Sequence, residues 1–140
     1  MSLFNAINVA ATSLGAQSVR LNTISSNLAN ANAVSSSEQD AYRARYPVFE
    51  SVYREAAGTM GDSSAAGVRV SGIVTSELPA RREYAPSHPQ ADDEGFIWRP
   101  QINSVQEMTN MMEASRSYQD SIEAMNTTKQ LILRTLTLGR

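Results

Sequence analysis

Apolar side chains recur every seven residues through the first thirty positions, and no other feature constrains the fold of this chain as much. One set is Ile7, Leu14, Leu21 and Leu28. The interleaved set is Leu3, Ala10, Gln17, Ile24 and Ala31, and the gaps alternate four and three. A heptad of this kind predicts a helix of coiled-coil type over residues 3 to about 31, about 43 Å long at ~1.5 Å per residue. The second long heptad lies at the opposite end, in Met108, Met111, Ser115, Tyr118, Ile122, Met125, Lys129, Ile132 and Leu136. It predicts a helix over 104–138, about 52 Å long. The expected class is mainly α, with the two terminal helices paired as an antiparallel coiled coil around an extended, partly β middle. The expected divisions are 1–32, 33–103 and 104–140. Two paired helices still leave an apolar flank to be covered.

Local signals refine the helix ends. Ser2 can cap the first helix. Gly15 costs about 1 kcal/mol against alanine in mid-helix, which predicts a close backbone contact there. Asn30 and Asn32 predict a left-handed C-terminal turn. Ser104-Val105-Gln106-Glu107 is a capping box, with Asn103 and Gln106 as a one-residue alternative, and Gly139 suits the position after the last turn. Arg134 stands where the dipole of the second helix favours a cation. Gln17, Ser115 and Lys129 interrupt the apolar seams. The flank of the first stripe carries Asn22, Ser25, Ser26, Asn27 and Asn30, and a single charge, Arg20. Small amides and hydroxyls in place of Lys and Glu predict tight contact with more protein.

The middle is different in kind. Residues 33–41 read as a polar connection. Tyr42, Ala44, Tyr46 and Val48 alternate with Arg43, Arg45 and Pro47, as in a half-buried edge strand. Residues 57–67 predict a flexible tip, and 68–74 a second strand. Four of the five prolines fall between 79 and 100 and predict an irregular extended segment, pinned by Phe96 and Trp98.

Composition excludes several functions. With 12 Lys and Arg against 14 Asp and Glu, the formal charge is −2, and no basic run offers a nucleic-acid footprint. The chain has no cysteine, so disulfides, thiolate metal sites and a cysteine nucleophile are absent. His88 is the only histidine and cannot build a triad or a zinc site alone; it reads as a surface residue. Asp92-Asp93-Glu94-Gly95 lacks the alternating ligands of a calcium loop and reads as a solvated acidic turn. No phosphate loop or nucleophile elbow is present, so neither cofactor nor small-molecule substrate is expected. The N-terminus lacks the basic flank of a secretory signal, so any export is expected to keep it. A coiled-coil adaptor or secretion chaperone in the cytoplasm would share the heptads and the lack of catalytic groups, but would not need the proline-rich middle.

Several stretches resemble one family. They are Ser13-Leu14, Arg20-Leu21 and Ile24-Ser25-Ser26-Asn27-Leu28-Ala29-Asn30 at the start, and Tyr42-Arg43-Ala44-Arg45 with Pro47-Val48-Phe49-Glu50 in the middle. Further on come Val68-Arg69-Val70, Tyr84 to Pro89, Ala114 to Gln119 and Leu136-Thr137-Leu138-Gly139. From end to end the chain resembles the axial rod proteins of the bacterial flagellum. Asp120-Ser121 departs from the Ala-Asn usual there. The resemblance implies a structural subunit of the proximal rod, the hollow periplasmic drive shaft that transmits motor torque. It further implies export through the flagellar type III apparatus without cleavage. The implied partners are copies of itself, other rod proteins and the protein joining the rod to the MS ring. On that reading the assembly seam is Ile7, Leu14, Leu21, Ile24, Leu28, Met108, Met111, Tyr118, Ile122, Met125, Ile132 and Leu136. The motif Ser25, Asn27, Leu28, Ala29 and Asn30 marks the family.

Overall fold

A computed structural model describes residues 3–53 and 65–138. The element order is α1 (Leu3–Asn30), β1 (Arg45–Tyr53), β2 (Ala65–Thr75), β3 (Arg81–Tyr84), β4 (Phe96–Arg99) and α2 (Ser104–Leu138). The Ser2 cap, most of the 57–67 tip and the Gly139 position lie outside the described residues, while residues 65–67 belong to β2.

The two helices run antiparallel, and three side-chain contacts fix their register. Ser13 Oγ lies 3.1 Å from Ser121 Oγ, Arg20 3.9 Å from Glu113, and Asn27 Nδ2 donates to Glu107 Oε2 at 3.2 Å. Continued in this register, Leu3 comes level with Leu131. The last seven residues of α2 therefore run about 10 Å past the described start of α1.

Helix ends differ from the sequence reading in instructive ways. Asn103, the alternative cap, starts α2: its Oδ1 accepts from Val105 N at 3.0 Å and Gln106 N at 3.2 Å. Gln106 turns away to Asn110 and does not reach back, so the box is only half formed. Among the described residues no non-glycine has positive φ, so Asn30 and Asn32 do not form the left-handed turn. Instead Leu28 O accepts from Ala31 N and Asn30 O from Ala33 N, at 3.2 and 3.0 Å. Asn30 Nδ2 bonds back to Ser26 O at 2.8 Å. Gly15 is exposed, with nothing within 4 Å of the place its Cβ would take, so the expected close contact is absent. Arg134 stands just before the last turn of α2, which carries no basic residue.

Strands β1 and β2 form an antiparallel ribbon, with Arg45 opposite Thr75 and Tyr53 opposite Ala65. Pro47 is tolerated because both strands of a two-stranded ribbon are edges. Register shifts fall between Val48 and Phe49 and between Val52 and Tyr53. Such irregularities twist a ribbon and break its alternation. The predicted inward alternation accordingly fails: Ala44 is buried and Tyr42 half-buried, but Tyr46 and Val48 are exposed. The ribbon lies along α1. Arg45 meets Asn27 at one end, and Val68 N donates to Thr12 Oγ1 at 3.3 Å near the other. Fifteen residues of helix span about 22 Å, which matches the rise of the strand between those contacts. At Gly67, φ is +152°, and a Cβ would stand 2.5 Å from Thr12 Oγ1, so only glycine fits this approach.

The proline-rich stretch is more ordered than its composition predicts. β3 pairs antiparallel with β4, Arg81 opposite Arg99 and Tyr84 opposite Phe96. Ser35 and Trp98 exchange two backbone bonds of 2.9 Å, which tie the connection after α1 to β4. Phe96 packs edge-on to Tyr84 at 5.1 Å, and the Arg82 guanidinium lies 3.7 Å over its ring. Among the described residues, the most buried one on a strand is Ile97, at 1% exposure, between the two aromatics that the sequence singled out. The acidic run forms a turn around Asp92, whose Oδ1 accepts from Glu94 N and Phe96 N.

Candidate functional site

α1 touches α2 on one side and the β1–β2 ribbon on another, so it is the spine of the described chain. All three elements meet at Asn27. Its side chain is fully buried and uses both ends of the amide. Oδ1 accepts from Arg45 N at 2.8 Å and from Tyr42 OH at 2.9 Å; Nδ2 donates to Arg45 O at 2.9 Å and to Glu107 Oε2 at 3.2 Å. The carboxamide thus pairs with the N–H and C=O of Arg45 as a neighbouring strand would. Tyr42 spends its only proton on Asn27, so Ser26 Oγ, 3.0 Å away, donates to the phenol. Only an amide supplies two acceptor sites and two donors in this geometry, which explains an asparagine at the centre of a helix seam.

Glu107 is the second unusual member. It is 4% exposed. Its other oxygen accepts from Asn110 Nδ2 at 3.3 Å. Its place in the first turn of α2 sets the carboxylate against the positive end of the helix, which supports a buried anion that has amide donors in place of a cation. Beside it lies a cleft of about 380 Å³ lined by Arg20, Ile24, Arg45, Tyr46, Pro47 and Phe49, among others. Partial burial beside this cleft, then the Glu107 charge, raises the Tyr46 phenol above its ordinary 10.0, although the residue is 44% exposed overall. A phenol held neutral and a single carboxylate do not make an acid–base pair for catalysis. Among the described residues no three His, Asp or Glu side chains are placed to hold a metal ion.

The predicted seam residues range from buried to exposed. Facing α2, α1 presents Ser13, Arg20 and Asn27; facing α1, α2 presents Glu107 and Ser121, with the fully buried Ala114 midway between them. Both lines keep the seven-residue spacing. Each lies one residue, about 100° around a helix, from a predicted apolar line: Leu14, Leu21 and Leu28 on α1, Met108, Ser115 and Ile122 on α2. Ile7, Leu14, Leu21 and Leu28 are half-buried, as are Met111, Tyr118, Met125 and Ile132. Ile24 is buried, at 5% exposure. Met108, Ile122 and Leu136 are exposed, at 52%, 39% and 66%. Of the motif, Asn27 is buried, Leu28 and Asn30 are half-buried, and Ser25 and Ala29 are exposed. The expectation of tight contact for the polar flank therefore holds for Ser26 and Asn27 within the chain itself. The departure at Ser121 falls on a helix-to-helix contact. His88 is half-buried, and its Nδ1 accepts from Gln90 N at 3.2 Å.

Two helices joined through Ser13, Arg20 and Asn27, with Met108, Ile122 and Leu136 exposed and no catalytic constellation among the described residues, describe a part built for assembly. The chain's relatives agree. The family described as flagella basal body rod protein matches residues 7–35, and the C-terminal family of the flagellar basal body rod proteins FlgEFG matches 93–138. These segments hold most of α1 and all of β4 and α2. The chain is 41% identical to the flagellar basal-body rod protein FlgC of Salmonella typhimurium, and 42% identical to that of Yersinia enterocolitica, in each case over 140 residues and 100% of both chains. It is 30% identical to the FlgC of Bacillus subtilis over 151 residues, again covering 100% of both. The chain belongs to the FlgC family of flagellar basal-body rod proteins. It is a structural component of the flagellum basal body and not an enzyme.

Proposed function

We propose that this chain is a subunit of the proximal rod. It polymerises with copies of itself and with other rod proteins into a hollow periplasmic shaft that transmits torque. It reaches the periplasm through the flagellar type III apparatus with its N-terminus uncleaved, and its neighbours include the protein that joins the rod to the MS ring. Residues 1–32 and 104–140 form the axial coiled-coil domain, and 33–103 brace neighbouring subunits. The assembly seam is the apolar set given above, from Ile7, Leu14, Leu21, Ile24 and Leu28 to Met108, Met111, Tyr118, Ile122, Met125, Ile132 and Leu136.

The observation that carries this reading is the distribution of apolar side chains. Among the described residues, the buried apolar set is seven alanines with Ile24 and Ile97, while Phe4, Tyr53, Ile73, Val74, Leu133 and Leu136 are all more than half exposed. The surface is 9903 Å². A compact monomer of 15.2 kDa exposes roughly 7,100 Å². Surface of this kind is what further subunits cover.

The test is to delete the coding sequence in the flagellated host and restore it with an affinity-tagged copy. Loss of the rod on deletion, recovery of swimming on restoration, and the tagged chain in isolated basal bodies are expected. Basal bodies that keep a complete rod after the deletion overturn the proposal.

A further inference from the structure

The β1–β2 ribbon crosses α1 on a diagonal, which leaves half of each strand edge open. Arg45 spends both its N–H and its C=O on Asn27, so these groups point away from β2. Outward and inward residues alternate along an antiparallel ladder. Phe49 and Ser51 therefore point outward as Arg45 does, together with Pro47, which has no N–H to lose. The register sets Thr75, Ile73, Val70 and Val68 opposite these four, pointing outward from β2. Two bonds agree with that assignment. Val68 N leaves the ladder and donates to Thr12 Oγ1 at 3.3 Å, and Ser76 N donates to Ala44 O at 2.7 Å, one step from the Arg45 pair.

α1 thus covers the edge of β1 at Arg45 and the edge of β2 at Val68. What stays open is Phe49 and Ser51 on β1, toward one end of the ribbon, and Ile73 and Thr75 on β2, toward the other. Among the described residues, these four bond to nothing beyond their own ribbon. Exposed apolar side chains stand on the same two stretches, Phe49, Val52 and Tyr53 on β1 and Ile73 and Val74 on β2. An open edge is a template for a further strand, and a two-stranded ribbon is marginal without one. Charge does not oppose a pairing of the two stretches. Val70 to Thr75 carries none, and Phe49 to Tyr53 carries only Glu50, which is paired with Arg69 at 3.0 Å. Glu77, the nearest acid on the other side, lies beyond the end of β2.

We propose that the open half of β2 pairs with the open half of β1 from a second copy of this chain. Antiparallel pairing sets Ser51 of the second copy beside Ile73 and its Phe49 beside Thr75, so that the outward N–H and C=O groups meet one another. The second ribbon then points the same way as the first and is displaced by four residues, about 13 Å. The displacement is forced, because α1 occupies the rest of both edges. Each half-edge answers the other, so a line of copies satisfies both, whereas β2 against β2 would leave the β1 edge open. The two surfaces differ, and a head-to-tail contact of this type builds a ring or a filament and does not stop at two copies. The inference rests on the proposed rod function and adds to it the strands by which one copy holds the next.

The chain has no cysteine, so introduced thiols report cleanly. In the proposed register Glu50 of one copy faces Val74 of the next as the closer type of cross-strand pair, within reach of a disulfide. Within one chain Val74 faces Tyr46, four residues or about 13 Å from Glu50, which is out of reach. The experiment places Glu50→Cys and Val74→Cys in one chain, oxidises isolated basal bodies and resolves the products by mass without reductant. Species of two, three and more copies are expected, and either substitution alone should leave the chain a monomer. Val52→Cys with Gly72→Cys reads the same register and should give the same ladder; a Cβ at Gly72 meets nothing within 4 Å. Ile73→Pro removes one outward N–H and should reduce swimming severalfold more than Ile73→Thr, which keeps it. Either thiol pair present in basal bodies of swimming cells but monomeric after oxidation overturns the contact and leaves the rod function intact. A dimer from a single thiol, a ladder that stops at two copies, a cross-link to a protein of another mass, or equal swimming of the two Ile73 variants also overturns it. An unaltered chain missing from basal bodies would instead overturn the function on which the contact rests.

Discussion

Replacing Asn27 by alanine should be among the most damaging single changes in the chain. The side chain is fully buried and makes four hydrogen bonds, to Arg45 N, Arg45 O, Tyr42 OH and Glu107. Arg45 is exposed, so water can take over part of its two bonds, and the loss there is about 1 kcal/mol in total. The Tyr42 bond contributes about 1 kcal/mol, and a donor removed from the buried Glu107 carboxylate costs about 2. The sum is roughly 4 kcal/mol, which for a chain of this size lowers Tm by about 12 °C. Asn27→Asp should be worse at neutral pH, because it sets a second carboxylate against Glu107 and removes the donor to Arg45 O. That pair raises the carboxyl pKa of the folded variant, so its stability is retained at low pH and falls as pH rises through the raised value. The assay is thermal unfolding of the purified chain by far-UV circular dichroism, with trimethylamine N-oxide added to populate the folded state. Asn22→Ala, at an exposed position of the same flank, serves as the control and should change stability by less than about 0.5 kcal/mol. Asn27→Ala within about 1 kcal/mol of that control would refute the account of Asn27 as the joint of three elements.

Two glycines should respond in opposite directions. Gly15→Ala meets nothing within 4 Å and should stabilise α1 by about 1 kcal/mol, seen as a Tm increase of about 3 °C. Gly67→Ala puts a Cβ 2.5 Å from Thr12 Oγ1 at a positive φ and should destabilise by about 2 kcal/mol, with exchange of amides at the Thr12 end of the ribbon accelerated. Tyr46 has a phenol pKa raised by burial and then by Glu107, so its contribution to stability is intact below about 10 and is lost as pH rises through the raised value. Glu107→Gln should bring the Tyr46 titration, followed by phenolate absorbance, back toward 10.0, and an unchanged titration would assign the shift to burial alone.

The long helices were legible because a seven-residue period survives any one misfit. Which line of the period faces the partner was not. Apolar strings such as Leu14, Leu21 and Leu28 draw the eye, yet the hydrogen bonds and ion pair with α2 are made by Ser13, Arg20 and Asn27, and pattern alone does not show a hydrogen bond. A one-residue offset leaves the period intact, so the only sign of it was the flank of small amides and hydroxyls that predicted contact at Asn27. Asn27 stood inside a recognised motif and Glu107 at a helix start, but their meeting depends on elements eighty residues apart. The β3–β4 hairpin was hidden by its flanking prolines, although Arg82, Glu83 and Tyr84 opposite Phe96, Ile97 and Trp98 form a pairing of ordinary composition. The Asn103 cap was visible as an alternative. Sequence could not rank it above Ser104, since both residue types cap well.

The distribution of burial leads to one more expectation. Fixing each helical residue costs about 1–2 kcal/mol of backbone entropy, while burying an alanine methyl gains less than about 1. Seven of the nine buried apolar residues described are alanines. Of the polar contacts between the helices, the Arg20–Glu113 pair is largely solvated and contributes little. Bringing α1 to α2 also closes a loop of roughly seventy residues, a cost that grows slowly with length. An isolated chain built this way has little margin, and the leucines and methionines that could supply more are at or near its surface. Neighbouring subunits would bury them, so folding and polymerisation should be coupled. The purified chain should show less helix by circular dichroism than α1 and α2 together would give, and the amides of residues 3–31 and 105–138 should exchange quickly. In assembled rods the same amides should be protected. A purified chain that is already fully helical, with slow exchange in both helices, would replace coupled folding with docking of preformed helices.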